Sequence, residues 1–470
     1  MILGQSSPSH AAMLAKAARS TLDDVFRRAA ARRPDAIALA DPPNRPAITD
    51  GAPRRLSYAQ ADRMISAIAG RLRLLGLGTD QIVAMQVTNT VDAVVTLLGI
   101  LRAGLIATPL PLAWRQDECV AALGRIGAQA LIVSGRIGPV DHRELAMTIA
   151  ADVFHLRQVC AFGRDLDGIV GLDDLYDSRA SAPLPVIERP INPAAHVAVI
   201  TWDTCAEGAV PVARSHFELL AAGAAIALES RIEQDAVLLT PLALSSLAGL
   251  ALAVPPWLLT GGTLALHHPF DDEVFMRQCR TERCNMVVAP APLALQLSDT
   301  DAFKGRDGIK TAVAVWRTPE RMAASAPWRD PAVALVDVAV FGETAVIAAR
   351  RGADGRAAPL TVGPVMAPHG AGTLHVAEVA RTSAGTIALR GPLVPRFPLP
   401  LDVDRVGKPP FAVGTDGYVD TGYPCTVDLT TRTLAISGPP AGVGDGYRAV
   451  LRTLADHAEE AEPDRARAVG

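Results

Sequence analysis

A chain of 470 residues with 49% hydrophobic and 20% charged side chains is long enough for two or more domains with large cores. A formal charge of −4 leaves no basic footprint for nucleic acid or an anionic membrane. Its cysteines, Cys119, Cys160, Cys205, Cys279, Cys284 and Cys425, form no Cys-x-x-Cys pair, which argues against a zinc site or a disulfide framework and for a reducing cytoplasm.

Residues 1–20 read as a flexible polar lead without the charged-then-apolar order of a secretory signal. Thr21-Leu22-Asp23-Asp24 opens a helix through an N-cap and early acidic residues, with Val25, Phe26, Ala29 and Ala30 on one face. Arg54 to Tyr58 is predicted as a short edge strand and Ala59 to Leu75 as an amphipathic helix ending at Gly76. A buried strand from Ile82 to Val87, a helix from Val91 to Arg102 closed by Gly104, and a strand from Ile106 to Pro109 follow. The alternation returns at Ala130 to Val133 and from Val197 to Val288, so an α/β fold is expected, with largely parallel sheets covered by helices.

Between Asp235 and Asp271 there is no Asp, Glu, Lys or Arg. Pro241 and Pro255-Pro256 divide this stretch, and Leu242 to Val254 falls short of the ~20 residues needed to cross a bilayer, so a buried helix is expected and no membrane span. Beyond about residue 346, short segments (Gly372 to Val376, Gly385 to Leu389, Tyr418 to Asp420, Thr433 to Ile436) separated by Gly and Pro predict a small antiparallel barrel or sheet. One further helix is expected around Tyr447 to Glu460, before a charged tail. The chain therefore divides into a lead (1–20), two α/β parts (21–190 and 191–345), a β-rich part (346–438) and a helical remnant with its tail (439–470).

The segment Thr201 to His216 follows an apolar strand, His196 to Ile200, and runs into a helix starting near Phe217. Strand, loop and helix in that order can hold phosphates, because glycine amides and a lysine converge on the oxygens. Here only Gly208 remains and no lysine does; lysine occurs in the whole chain only as Lys16, Lys304, Lys310 and Lys408.

Arg33-Pro34-Asp35-Ala36-Ile37-Ala38-Leu39, Leu97 to Gly104, Leu259-Thr260-Gly261-Gly262-Thr263-Leu264, Phe341-Gly342-Glu343-Thr344, Gly385 to Pro392 and Asp416 to Gly422 stand in the order of one family. With them the chain resembles, from about 21 to 438, the adenylate-forming acyl-CoA synthetases, the AMP-dependent ligase superfamily. The resemblance implies that family's large N-terminal domain, with two parallel-sheet α/β subdomains and a small β-barrel-like one. It also implies a two-step reaction in which ATP and a carboxylate give an acyl-adenylate, and a thiol, usually coenzyme A, takes the acyl group.

The same resemblance assigns positions. Thr201 and Thr204 stand in the phosphate loop, with Val210 where the lysine belongs and Arg214 as a solvated residue at a helix start. Phe341 takes the place of a tyrosine that stacks on adenine, Gly342 and Thr344 fit the motif, and Ala345 replaces the magnesium-holding glutamate. Glu343 could be imagined as a substitute ligand, but if the piece is extended it shares Ala345's face while lying about 7 Å away, which argues against that role. Thr421-Gly422 leads to Tyr423 where an aspartate would clasp the ribose, and Pro439 replaces the hinge arginine. Trp316 either walls off the adenine pocket or is a core or rim tryptophan. The family's C-terminal lid domain, with its lysine, is expected to be absent.

Weaker constellations are read structurally. Asp203, Ser215 and His216 have no nucleophile elbow around them. His267-His268 is expected as a strand-end surface pair rather than a metal site, and Cys205 as an apolar filler rather than a reactive thiol. Two functions follow. One is a protein that has lost adenylation and binds an acyl group, a thioester or a protein partner such as an active ligase or a biosynthetic complex, through a pocket lined by Leu244, Ser245, Pro290 and Trp316. The other is a ligase using ATP, magnesium and coenzyme A, with its lid supplied in trans.

Overall fold

The computed structural model describes residues 19–163, 167–176, 187, 192–205, 208–297, 308–395, 414 and 416–440. The expected lead up to residue 18, the helix at Tyr447 to Glu460 and the tail from residue 441 lie outside these residues. Two large sheets carry the molecule. The first has eight strands in the order Ala345–Arg350, Ala334–Phe341, Thr311–Trp316, Met286–Pro290, Val237–Thr240, Thr263–Leu266, Ile37–Ala40 and Arg55–Ser57. The second has seven, in the order Gly208–Ser215, Val197–Cys205, Ile106–Pro109, Ile82–Gln86, Ala130–Ser134, Gln158–Phe162 and Val170–Gly171. Both are parallel within and antiparallel only at edges, where a hairpin or a short return strand adds on.

The sheets do not follow the chain. Ile37–Ala40 and Arg55–Ser57 join the sheet otherwise built from 237–350, and the hairpin 197–215 joins the one built from 82–171. A division at residue 190 therefore cuts across both sheets. Strand and helix alternation fixes that strands are parallel, but carries no signal for which open edge a strand will find.

Helix starts were legible because capping was local. Thr21, Ser57 and Ser215 each close a capping box, opening the helices Leu22–Arg32, Tyr58–Leu74 and His216–Ser230. The helix Val91–Arg102 is buried at every residue. Gly99 lets it approach Tyr58–Leu74, since a Cβ there would lie 2.6 Å from Ile68 Cγ2.

The charge-free stretch forms the helix Leu247–Thr260, which runs through Pro255 and Pro256 rather than stopping at them. Neither proline can donate to the carbonyl four residues earlier, a loss that tertiary packing offsets. Gly223 of the neighbouring helix makes room, because a Cβ there would sit 2.3 Å from Pro255 Cβ. Among the described residues no helix is long and apolar enough to cross a membrane.

The β-rich part is a five-stranded antiparallel sheet from Gly363–His369 to Leu434–Ile436. A bridge between Thr361 and Thr433 ties its ends, but no strand ladder closes it into a barrel.

Candidate functional site

The segment expected to be a phosphate loop is a β-hairpin. Val197–Cys205 pairs with Gly208–Ser215 from Val197 opposite Ser215 down to Cys205 opposite Gly208. A complete strand therefore separates the turn from the helix His216–Ser230, whose Glu218 amide donates to the Ser215 hydroxyl. Strand, loop and helix becomes strand, turn, strand and helix. Val210 lies within the second strand, opposite Asp203 and buried, so an apolar side chain occupies the position assigned to the lysine. Thr201 is buried opposite Val212; of Thr204 and Cys205 only the backbone is described, in the ladder.

Arg214 is not solvated. It is fully buried, and its guanidinium donates to the carbonyls of Glu343, Thr344 (2.6 Å) and Leu393 (3.2 Å). It joins the hairpin to the next piece of the site, and the cation is spent on main-chain oxygens.

That next piece is a second hairpin. Phe341 ends one strand, Ala345 begins the next directly opposite it, and Gly342, Glu343 and Thr344 form the turn. Because the chain reverses here, Glu343 and Ala345 do not share the face of one extended strand, and Ala345 is buried in the sheet. Gly342 has φ +54°, and a Cβ on it would lie 2.6 Å from Asp203 Oδ2, so both its conformation and its space require glycine. The two apolar runs separated by three residues that include glycine were the available signal for this turn.

The turn gathers a polar cluster that the sequence reading did not assemble. Asp203 Oδ2 accepts from the Glu343 amide at 3.0 Å. Glu343 Oε2 accepts from the Leu247 amide at 2.6 Å, at the start of the helix Leu247–Thr260, whose N-cap is Ser246. Arg317 donates to Ser246 Oγ at 2.7 Å. Burial and the neighbouring Asp203 carboxylate push the Glu343 carboxyl up to about 7, against the opposing pull of the Leu247 amide, Arg317 and Thr201.

The positions assigned to adenine and ribose meet each other. Phe341 and Tyr423 pack edge to face at 5.3 Å between centroids, with exposures of 1% and 6%. Thr421 Oγ1 donates to the Ile387 carbonyl at 2.8 Å, and Gly422 has φ +74°. Trp316 resolves as a core tryptophan: its indole N–H donates to Asp337 at 2.7 Å, and Asp337 is paired with Arg351. Of the expected pocket residues, Leu244 is buried, Ser245 half-buried and Pro290 exposed, while Pro439 is exposed beyond the last strand.

His267 is a buried residue, not a surface one: its Nδ1 meets Gln278 at 2.8 Å and its Nε2 accepts from the Asp271 amide, and burial lowers its pKa. Among the described residues no cluster of three or more His, Cys, Asp or Glu could hold a metal. The only described lysine, Lys310, pairs with Glu233 and precedes Thr311–Trp316. That strand's other end carries Trp316, so Lys310 stands roughly 20 Å from the cluster, at about 3.3 Å per residue.

Residues 26–394 match the AMP-binding enzyme family, and the chain belongs to it. It is 33% identical over 147 residues to the salicyl-AMP ligase / salicyl-S-ArCP synthetase of Mycobacterium tuberculosis, over 30% of this chain and 24% of that one. The matches span less than half the length of the curated relatives. In structure it is similar to the N-terminal domain of FACL13 from Mycobacterium tuberculosis, with TM-score 0.65 and 16% identity over 89% of this chain and 99% of that one. It is likewise similar to ATP-bound MatB from Rhodopseudomonas palustris, with TM-score 0.65 and 18% identity over 89% and 79%. At these identities the structures establish the shared fold.

Proposed function

We propose that this protein keeps the adenylate-forming scaffold but has lost ATP-dependent adenylation, and that it binds an acyl group or acyl thioester without nucleotide. The observation that carries this reading is the Phe341–Tyr423 pair, in which the side chains at the adenine and ribose positions bury each other. Three further features support it. Val210 leaves no cation at the lysine position, Ala345 leaves no carboxylate at the magnesium position, and Arg214 is held by three carbonyls. Losing one preorganised charge-stabilising group costs about 100- to 1000-fold in rate, and further losses in the same unit add to that less than multiplicatively. The apolar helix from Leu247, with Leu244 and Ser245 before it, is the proposed acyl-binding wall, and an active ligase or a biosynthetic complex is the proposed protein partner.

Calorimetry on the full chain with ATP, AMP and a panel of acyl-CoA thioesters, together with pyrophosphate exchange, tests the reading. Thioester binding without nucleotide is expected. Micromolar ATP binding with magnesium-dependent exchange would overturn it in favour of an active ligase.

A further inference from the structure

Away from this cluster, two thiols meet where the helix Asp272–Thr281 ends and the chain turns into the strand Met286–Pro290. Arg283 has φ +55°, its amide donates to the Arg280 carbonyl at 3.2 Å, and the Cys284 amide donates to the Cys279 carbonyl at 2.9 Å. These two bonds around one left-handed residue make a Schellman ending, in which the side chains at its outer positions, here Cys279 and Cys284, come together over the turn.

The main chain fixes how far apart they stand. Bond lengths on either side of that 2.9 Å hydrogen bond hold the two Cα atoms within about 7 Å of each other, and disulfides join Cα atoms roughly 4.4–6.8 Å apart. Both side chains are buried, and the Cys284 thiol hydrogen-bonds the Cys279 sulfur. That bond, together with burial, raises the Cys284 pKa well above its usual value.

We propose that Cys279 and Cys284 are a reversible oxidation site, closing to an intrachain disulfide that clamps the end of the helix to the start of the strand. Hydrogen peroxide is the oxidant. The Cys279 sulfur displaces hydroxide from it and becomes a sulfenic acid, while Cys284 keeps its proton. The Cys284 sulfur then attacks the Cys279 sulfur, and its thiol proton leaves with the hydroxyl as water. Two thiols and one peroxide give one disulfide and two waters, and a dithiol reductant reverses the change.

Only a short turn covers the sulfurs: Thr281 and Arg283 are exposed, and Arg283 holds a conformation that favours glycine. The turn is anchored on both sides, Glu282 pairing with Arg55 at 3.0 Å and Asn285 exchanging two hydrogen bonds with Val237. The disulfide therefore forms without moving either element. Cys119, Cys160 and Cys425 stand on other elements, in Gln116–Ile126, Gln158–Phe162 and Val419–Val427. The site stands apart from the acyl-binding reading and survives its failure.

In the test, the full-length protein is treated with hydrogen peroxide under native conditions, its remaining thiols are blocked with iodoacetamide, and its tryptic peptides are weighed. Cleavage after Arg277, Arg280, Arg283 and Lys304 separates residues 278–280 from 284–304. The two peptides stay together only when Cys279 and Cys284 are joined. The expected product is that linked pair, about 2 Da lighter than the two free peptides combined, and dithiothreitol separates it. In Cys284→Ser the sulfenic acid has no thiol to close on, so dimedone is expected to label Cys279 there and not in wild type. Closing so short a ring should raise the melting midpoint of the wild type by about 2 °C, a rise that dithiothreitol removes.

Recovery of both cysteines as free thiols, a link that appears only in urea, or equal cross-linking to any other cysteine would overturn the site. A disulfide that lowers the melting midpoint would overturn the clamp. The wild-type peptide map decides the first question even if Cys284→Ser does not fold.

Discussion

Glu343 is a carboxylate under opposing forces, and its protonation state couples the site to stability. Its carboxyl is raised from 4.5 to about 7 in the fold, chiefly by burial and then by Asp203. For a group raised on folding, the stabilising contribution is complete below the unfolded value and is lost as pH climbs through the folded one. Wild type should therefore lose stability relative to Glu343→Gln between about pH 4.5 and pH 7, by up to about 3 kcal/mol at 1.36 kcal/mol per unit. Gln keeps an oxygen for the Leu247 amide and removes the charge. Urea midpoints at pH 5 and pH 8 decide it: a difference between the two proteins that stays constant across that range would show that the carboxyl titrates normally. The readings of Val210, Ala345 and Tyr423 could be made from sequence because each is a residue-type difference at a position the family resemblance assigns. The Asp203–Glu343–Arg317 cluster was not, because its members lie on three segments that only the sheet pairing brings together.

At the scale of elements, what the sequence revealed was set by how local the cause was. The capping boxes at Thr21, Ser57 and Ser215 involve residues three apart, so those helix starts could be placed within a residue or two. The hairpin at 197–215 was misread because a resemblance in residue order stood in for the pairing of Asp203 with Val210, and the helix Leu247–Thr260 continued through two prolines that taken alone predict a break. Close helix contact was equally hidden, and Gly99 is where it is most demanding. A Cβ there would lie 2.6 Å from Ile68 Cγ2 and 3.3 Å from the Ile65 carbonyl. Ala has the better helix propensity, by about 1 kcal/mol, yet overpacking costs about 1–3 kcal/mol. Gly99→Ala should therefore destabilise despite its propensity, and Gly99→Ala/Ile68→Val should recover part of the loss. Denaturant titration of the three proteins checks this; a Gly99→Ala protein more stable than wild type would mean the two helices are not in contact at this point.

The two large sheets are held together by exchanging strands and by a buried ion network at the crossing. Asp41 follows the strand Ile37–Ala40 of the first sheet, while Asp92 lies in the first turn of Val91–Arg102, which follows a strand of the second. Arg45 binds both carboxylates, with Asp41 at 2.6 Å, and all three groups are almost completely buried. Arg54 bridges Asp92 at 2.9 Å to Asp173 at 3.0 Å, and the Tyr176 hydroxyl donates to Asp92 as well. Asn89 adds a neutral tie, donating to the carbonyls of Thr240 and His267 at the ends of two first-sheet strands. Removing one partner from a buried charge network leaves the others uncompensated, at about 3–5 kcal/mol. Arg45→Met should cost about that much, because two buried carboxylates lose their shared cation. Arg45→Met/Asp41→Asn/Asp92→Asn should be more stable than Arg45→Met, since no buried charge is then left unpaired there. The exchanged strands also require the sheets to unfold together, so calorimetry of each variant should show one transition at a lowered temperature. Two resolved transitions, or an Arg45→Met protein as stable as wild type, would mean that the sheets are held independently and that the network does not join them.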